Sequence, residues 1–412
     1  MLKNRKTLSS IWLVTDHPVR SNKGASRYLP EVAATPPCKE GIRCRVFVLF
    51  ISLFLPSVLL AQKQAPELKL ETGQQIFEAA CIGCHGSGGK GLPESTLGFE
   101  HPPTYPDFSD CVGSAREKNY DWRSVIHEGG PARGFSQIMP SFAEALKPEQ
   151  IEKIMQYLRE QCTDKAWPRG EMNFPRPLVT EKAFPEDEYL LKTEVNAKAP
   201  RDVTLSFFAE RRFGARNQLE FVVPVSFLNR DRTNWIGGIG DVVLGYKRVL
   251  FSSIETGSIF SLQGEVSLPT GNRLRGLGSG VTTFEPFAAF GQMLPGRSFI
   301  QIQSGAELPA DTDKAPRTAF FRTAVGKTFA ANRGFGRIWT PMVEVLVDRD
   351  FETGARTNLD LVPQMQVSLS RRQHVFFNFG VRTPVNNRTG RDTQLMFYFL
   401  WDWFDGGLRE GW

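Results

Sequence analysis

The chain has no dense run of positive charge. Lys and Arg number 50 against 44 Asp and Glu, a net +6 over 412 residues, and the two signs are interleaved. The basic stripe that nucleic-acid binding requires is missing. Cysteine is scarce, six residues in all, with a single Cys-x-x-Cys pair at Cys81 and Cys84 and no second knuckle to support a zinc ribbon. The surroundings of that pair show no βαβ pattern, which argues against a thioredoxin-like dithiol. Nothing repeats at the length of a propeller blade.

One apolar run is present, inside CKEGIRCRVFVLFISLFLPSVLLAQ at residues 38–62. A basic flank, about 15 apolar residues and a small residue make the layout of a secretory signal, and the run is short for a helix crossing ~30 Å of hydrocarbon. Cleavage is expected after Ala61. Residues 1–37 are polar and irregular, consistent with an overextended gene start, so residues 1–61 are taken as an N-terminal extension plus signal peptide. Cys38 and Cys44 leave with it. Cys111 and Cys162 stay, in an oxidising compartment where a disulfide is expected.

The pair Cys81–Cys84 sits in ETGQQIFEAACIGCHGSGGKG (71–91). Ile76, Phe77 and Ala80 share a helix face, and the helix should end at the Gly-rich run. Farther on, KPEQIEKIMQYLREQC places Ile151, Ile154, Met155 and Leu158 on one face, with Pro148 in the first turn. About 60 loop-rich residues between the two helices have little apolar core of their own and need something to fold around. Cys-x-x-Cys-His supplies it: two thioethers to haem vinyl groups from Cys81 and Cys84, and His85 held beneath the iron. A four-cysteine zinc site using Cys111 and Cys162 remains the alternative.

Residues 70–163 resemble a class I c-type cytochrome. The resemblance rests on Gly73 and Phe77 in the first helix, CIGCH, the Met-Pro of QIMPSF (Met139, Pro140) and a last helix with Tyr157 and Leu158. It implies one covalent haem c, iron ligation by His85 and Met139, and packing of Tyr157 and Leu158 on Gly73 and Phe77. His101 and His127 are rival sixth ligands, and Met155 belongs to the core. A six-coordinate iron has no open site, so the resemblance implies an electron carrier with no catalytic residues, and a haem enzyme with a labile distal ligand is a lesser reading.

Beyond this cytochrome domain (62–163), residues 164–187 carry Pro168, Pro175, Pro177 and Pro185 and no period, which predicts an extended linker stiffened by proline. From residue 188 to 412 the period becomes two. Ile300 and Ile302 alternate with Gln301 and Gln303. Phe260, Leu262, Val266 and Leu268 alternate with Ser261, Gln263, Glu265 and Ser267. Val343, Val345 and Val347 oppose Glu344 and Asp348, and Phe377 and Phe379 oppose Asn378. Roughly twelve such runs predict an antiparallel transmembrane β-barrel, apolar outside and polar toward a watered lumen. The last run, TQLMFYFLWDWF, sets Phe397, Phe399, Trp401 and Trp403 on one face like a membrane girdle, with further residues after Trp403. GGIGDVVLG is a strand rather than a dinucleotide fingerprint.

The fold class expected is therefore multidomain, an all-α cytochrome c followed by a barrel in outer-membrane lipid. The function expected is one-electron transfer with periplasmic redox carriers, the haem domain lying in the periplasm. The alternative is a porin for small solutes with an accessory redox-sensing cytochrome. A single haem cannot wire a membrane ~25–30 Å thick.

Overall fold

The computed structural model describes residues 70–198, 201–229, 234–330 and 335–412. The expected leader, signal segment and cleavage after Ala61 lie outside the described residues.

The first part is helical. Thr72 caps α1 (Gly73–Ala80), its hydroxyl accepting from Gln75 N while the Gln75 side chain returns to the cap, a reciprocal arrangement that satisfies two of the free N–H groups of a helix start. The short α2 (Ile82–His85) follows, then α3 (Cys111–Ser114), α4 (Asn119–Glu128) and α5 (Pro148–Gln161). Ile76 and Phe77 of α1 and Ile151, Ile154, Met155 and Leu158 of α5 are buried in one cluster, the faces the periodicity predicts. The helices cross at Gly73, where a Cβ would lie 1.9 Å from the carbonyl oxygen of Lys153; no larger residue permits that approach. Phe77 and Tyr157 pack beside the crossing with ring centroids 5.4 Å apart. Cys111 and Cys162 form a disulfide closing 51 residues, which ties the distal loop to the end of α5.

The second part is one closed antiparallel sheet. Its strands are β1 (Glu188–Asn196), β2 (Val203–Phe213), β3 (Asn217–Asn229), β4 (Trp235–Ile239), β5 (Val242–Ser253), β6 (Ser258–Leu268), β7 (Thr283–Leu294), β8 (Ser298–Pro309), β9 (Thr318–Lys327), β10 (Phe329–Ala330), β11 (Ile338–Asp350), β12 (Asn358–Ser368), β13 (Val375–Pro384) and β14 (Gln394–Asp402). The short β4 and β10 extend β5 and β9 along the same neighbours, β3 and β11. Twelve staves result, and pairing of β14 with β1 closes the ring. Of the connections whose residues are all described, those at one end are short (214–216, 254–257, 295–297, 369–374) and those at the other are longer (269–282, 310–317, 351–357, 385–393). Both barrel termini lie at the short-turn end, where Glu188 pairs with Asp402.

Side-chain direction follows the alternation. Leu262, Phe379 and Phe399 are exposed on the outer face, while Ser261, Gln301, Gln303, Glu344 and Asn378 point inward and are buried. Such a sheet has no edge to satisfy and turns an apolar surface outward, the arrangement a bilayer demands.

What fills the lumen differs from the expectation. The proline-rich segment does not run as a connector through water. It folds into the barrel mouth and stays there. Apart from one 3-10 turn at Gly170–Met172 it forms no helix or strand, so most of its backbone cannot satisfy its own hydrogen bonds, and buried N–H and C=O groups need partners. The lumen wall provides them. Glu344 accepts from the backbone N–H of Leu178 (2.9 Å), Val179 (3.1 Å) and Thr180 (2.6 Å) and from the Thr180 hydroxyl (2.6 Å). Gln303 accepts from Glu181 N (3.0 Å), Gln218 from Glu186 N (2.7 Å) and Gln364 from Leu178 N (3.0 Å). Gln301 donates to Pro175 O (2.9 Å), Gln263 to Lys182 O (2.9 Å) and Tyr398 to Arg176 O (2.6 Å). The polar alternation that predicted a watered lumen is the lining that grips this plug.

The plug also has an apolar side that proline spacing conceals. Met172, Phe174, Ala183 and Phe184 pack with Val249, Ile259, Phe299 and Met342, and Leu178 packs with Leu346, Val362 and Met396. Gly291 and Gly380 make room in the wall: a Cβ there would lie 2.8 Å from the Phe174 ring and 2.5 Å from Leu178.

Glu344→Ala leaves the N–H groups of Val179 and Thr180 and the Thr180 hydroxyl without an acceptor, while Leu178 N keeps Gln364; each orphaned group is worth ~1–3 kcal/mol. Loss of folded mobility on heating, followed on semi-native gels, should occur on the order of 10 °C earlier, with Glu344→Gln less affected. An unchanged transition would mean that Glu344 does not hold the plug.

Candidate functional site

The turn from α1 into α2 fixes the motif. Cys81 closes α1, its N–H donating to Phe77 O, and the N–H groups of Cys84 and His85 both donate back to Cys81 O (3.1 and 2.9 Å). One tight turn therefore carries two thiols and an imidazole. Gly86, at φ 71°, ends it and brings the chain back, so that Gly91 N reaches His85 O at 2.8 Å; a Cβ on Gly86 would lie 2.2 Å from Gly91 O. Tyr105 stacks parallel to His85 with centroids 6.1 Å apart, and its hydroxyl donates to Cys84 O. Phe108 lies against the same imidazole at 5.7 Å and edge-on to Trp122 at 5.1 Å.

Met139 packs against the same core. Its carbonyl accepts from Gly130 N (3.0 Å), and Phe142 N donates to Ile126 O (3.0 Å), which clamps QIMPSF onto the end of α4. Cys81 and Met139 are both partly buried against the one apolar cluster of α1 and α5. Met155 is fully buried within it, as expected of a core residue. Of the rival histidines, His101 stacks on Tyr105 at 4.3 Å. His127 is turned away to stack on Phe335 of the barrel at 4.8 Å.

The donor set fits haem c. Cys81 and Cys84 are the free thiols among the described residues, while the disulfide consumes Cys111 and Cys162 and with them the four-cysteine zinc alternative. His85 has a buried ring nitrogen, Nδ1, without a hydrogen-bond partner, and burial lowers its proton affinity, favouring the neutral ring that ligates a metal.

The cytochrome part is seated on the short-turn end of the barrel. Arg133, almost wholly buried, pairs with Asp121 (3.1 Å) and donates to Phe335 O (2.9 Å). Arg372 donates to Gly134 O (2.9 Å) and covers Phe135 at 4.5 Å. Arg116 pairs with Asp187 and stands 4.1 Å over Phe404. Residues after β14 thus have a place: Gly411 lies so close to Gly134 that a Cβ on the latter would sit 2.4 Å from its Cα. None of these seating residues carried a sequence signal, because each acts on a partner remote in the chain. The plug had a faint one, the apolar Met172, Phe174, Leu178 and Phe184 within a supposed linker.

The helical part matches known proteins by sequence. A family model described as cytochrome c matches residues 70–161. Chloroplastic cytochrome c6 of Chlamydomonas reinhardtii is 31% identical over 108 residues, 26% of this chain and 63% of that protein. The chain thus spans less than two thirds of that relative's length. Among solved structures, the KdgM porin matches with a TM-score of 0.36 and 6% identity, over 52% of this chain and 98% of its own. An outer-membrane channel from Pseudomonas putida F1 matches with a TM-score of 0.40 and 14% identity, over 55% and 99%. The barrel assignment rests on the closed strand ring itself. Residues 70–161 are a cytochrome c domain, and they precede a closed twelve-stranded antiparallel β-barrel.

Between the two lies a cavity of about 330 Å³ lined by Glu117, Lys118, Tyr120, Asp121, Asp402 and Asp405, among others. Burial pushes Glu117 up to about 7, with Asp121 adding to it, and pushes Asp121 up to about 6 against the pull of Arg133. Burial and the facing Glu117 hold Asp405 well above the carboxylate range. Carboxyls raised in the seated state bind protons that the separated state releases, so seating is strongest below their ordinary range and weakens as pH rises through about 6 to 7. The melting temperature of the seated haem domain should fall between about pH 5 and pH 8, and Glu117→Gln should flatten the slope. A temperature that is constant or rises over that window contradicts this electrostatic picture.

Proposed function

We propose that this protein is a one-electron carrier fixed in the outer membrane. One haem c is held by thioethers at Cys81 and Cys84, with His85 and Met139 on the iron and the cytochrome facing the periplasm. The observation that carries the reading is the donor set: two free thiols and an imidazole on one turn, with a methionine clamped against the same core. Haem so held supplies an Fe(III)/Fe(II) couple, raised in potential by thioether ligation. The chain's own part is to position it. Tyr105 and Phe108 pack the His85 ring, and Gly130 fixes the Met139 loop.

The barrel is the anchor. Short turns characterise the periplasmic end of bacterial barrels, and the cytochrome sits at the end with the short turns and both barrel termini. Soluble periplasmic redox carriers are then the partners within reach. The plug runs against the porin alternative, because Glu344, Gln303 and Gln364 spend their polar capacity on it rather than on a passing solute.

Haem should remain with the chain through denaturation in acid acetone and be extracted from a Cys81→Ser, Cys84→Ser variant; extraction from the native chain refutes covalent attachment. Met139→Ala should abolish the weak sulfur-to-Fe(III) band near the red end of the spectrum and lower the potential. A spectrum identical to the native one assigns the sixth ligand elsewhere.

Orientation has its own test. In intact cells, added protease should spare the haem-stained band, as it spares a periplasmic control. Loss of that band with the control intact would put the cytochrome outside.

A further inference from the structure

The strand register aligns carboxylates that nothing in the electron-transfer reading uses. Glu210 on β2 is directly opposite Glu220 on β3. Glu220 is opposite Gly245 on β5, and Gly245 is opposite Glu265 on β6. Glu265 is opposite Glu285 on β7. Five neighbouring staves thus carry Glu, Glu, Gly, Glu, Glu at one level of the lumen. Like charges directly across a sheet destabilise it, so this row needs a compensating positive charge.

The cations at hand are engaged. Arg176 is shared among Glu181 (3.0 Å), Glu188 (2.7 Å) and Glu210 (2.6 Å). Lys182 pairs with Glu186 and Glu188. Lys247 donates to Phe184 O and to Gln218, both at 3.3 Å. Arg322 lies 3.7 Å from Glu285 and 3.9 Å from Glu307. Among the described residues, no Lys or Arg forms an ion pair with Glu220.

Two observations mark a place for an ion. Glu210 is 1% exposed, and although its Oε1 accepts from Arg176, its Oε2 has no hydrogen-bond partner. That carboxylate belongs to a trio: Glu181, Glu210 and Glu220 each offer one oxygen, all within 4.8 Å of one another. Beside the trio, Gly245 keeps space open. A Cβ there would lie 3.1 Å from Glu220 and 3.3 Å from Glu265, and a cavity of about 10 Å³ around this glycine, enough for about one water, adjoins the trio at Glu220.

We propose that Glu181, Glu210 and Glu220 bind a hard divalent cation, of the calcium or magnesium class. Carboxylate oxygens without nitrogen or sulfur select such ions. The ligands come from two bodies: Glu210 and Glu220 from the wall, Glu181 from the plug. The ion therefore clasps plug to barrel, on the side of the lumen away from Glu344, and offsets the charge that the register accumulates.

The test uses the full-length, haem-loaded protein in detergent, stripped with EDTA and then dialysed against calcium or magnesium alone. The expected result is about one metal retained per chain with either ion or both, and a barrel melting temperature raised by several degrees on addition. Glu220→Gln should abolish both effects. Glu181→Gln, a change outside the barrel wall, should do the same and decides the matter if the first variant fails to fold. Retention of neither metal at millimolar concentration, or equal retention by native protein and Glu181→Gln, overturns the proposal and leaves protons to neutralise the row.

Discussion

The organisation of this molecule depends on the capture of an irregular, proline-rich segment by the polar wall of a barrel. A twelve-stave ring has an interior that its own side chains must fill or leave wet. Here Glu344, Gln303, Gln364, Gln301 and Tyr398 reach across the lumen to main-chain groups that no helix or strand could satisfy. The exchange is mutual. An unpaired buried amide costs more than a made hydrogen bond returns, so plug and wall each make the other's burial tolerable.

From that capture follows the placement of the cytochrome. The plug leaves α5 by way of Trp167 and Gly170, and Gly170 N donates to Ala115 O at 2.7 Å, so the exit from the helical domain is itself pinned. With the segment held at both ends, the haem domain has a fixed seat, reinforced by Arg116, Arg133 and Arg372. Guanidinium groups suit this work because each can pair with a carboxylate, donate to a carbonyl and lie flat on an aromatic ring. The cytochrome c domain is thereby held against the end of the barrel.

Much of this was legible in the sequence, for a definite physical reason. CIGCH, Gly73, Phe77 and QIMPSF report local chemistry: thioether spacing, a helix crossing that only glycine permits, a methionine loop. Strand alternation at Gln301, Gln303, Glu344 and Asn378 reports an inside and an outside, and the count of about twelve runs matches the ring. The segment 164–187 was read from its prolines, which say what backbone it cannot form and nothing about what surrounds it. Its partners lie some 30 to 220 residues farther along the chain, and each is a polar side chain whose inward direction was equally compatible with water. The seat of the cytochrome was hidden likewise, since an arginine over a distant phenylalanine has no period. The residues after Trp403 carried no pattern, and they are part of that seat.

The central claim is that the lumen is filled by the chain's own plug. Electrical recording of the intact protein in a planar bilayer tests it most directly. A filled lumen predicts insertion without a steady ohmic conductance, and steady open steps once the plug is cut free by proteolysis at sites engineered on either side of it. Stable open-channel steps from the uncut, haem-loaded protein would contradict the account.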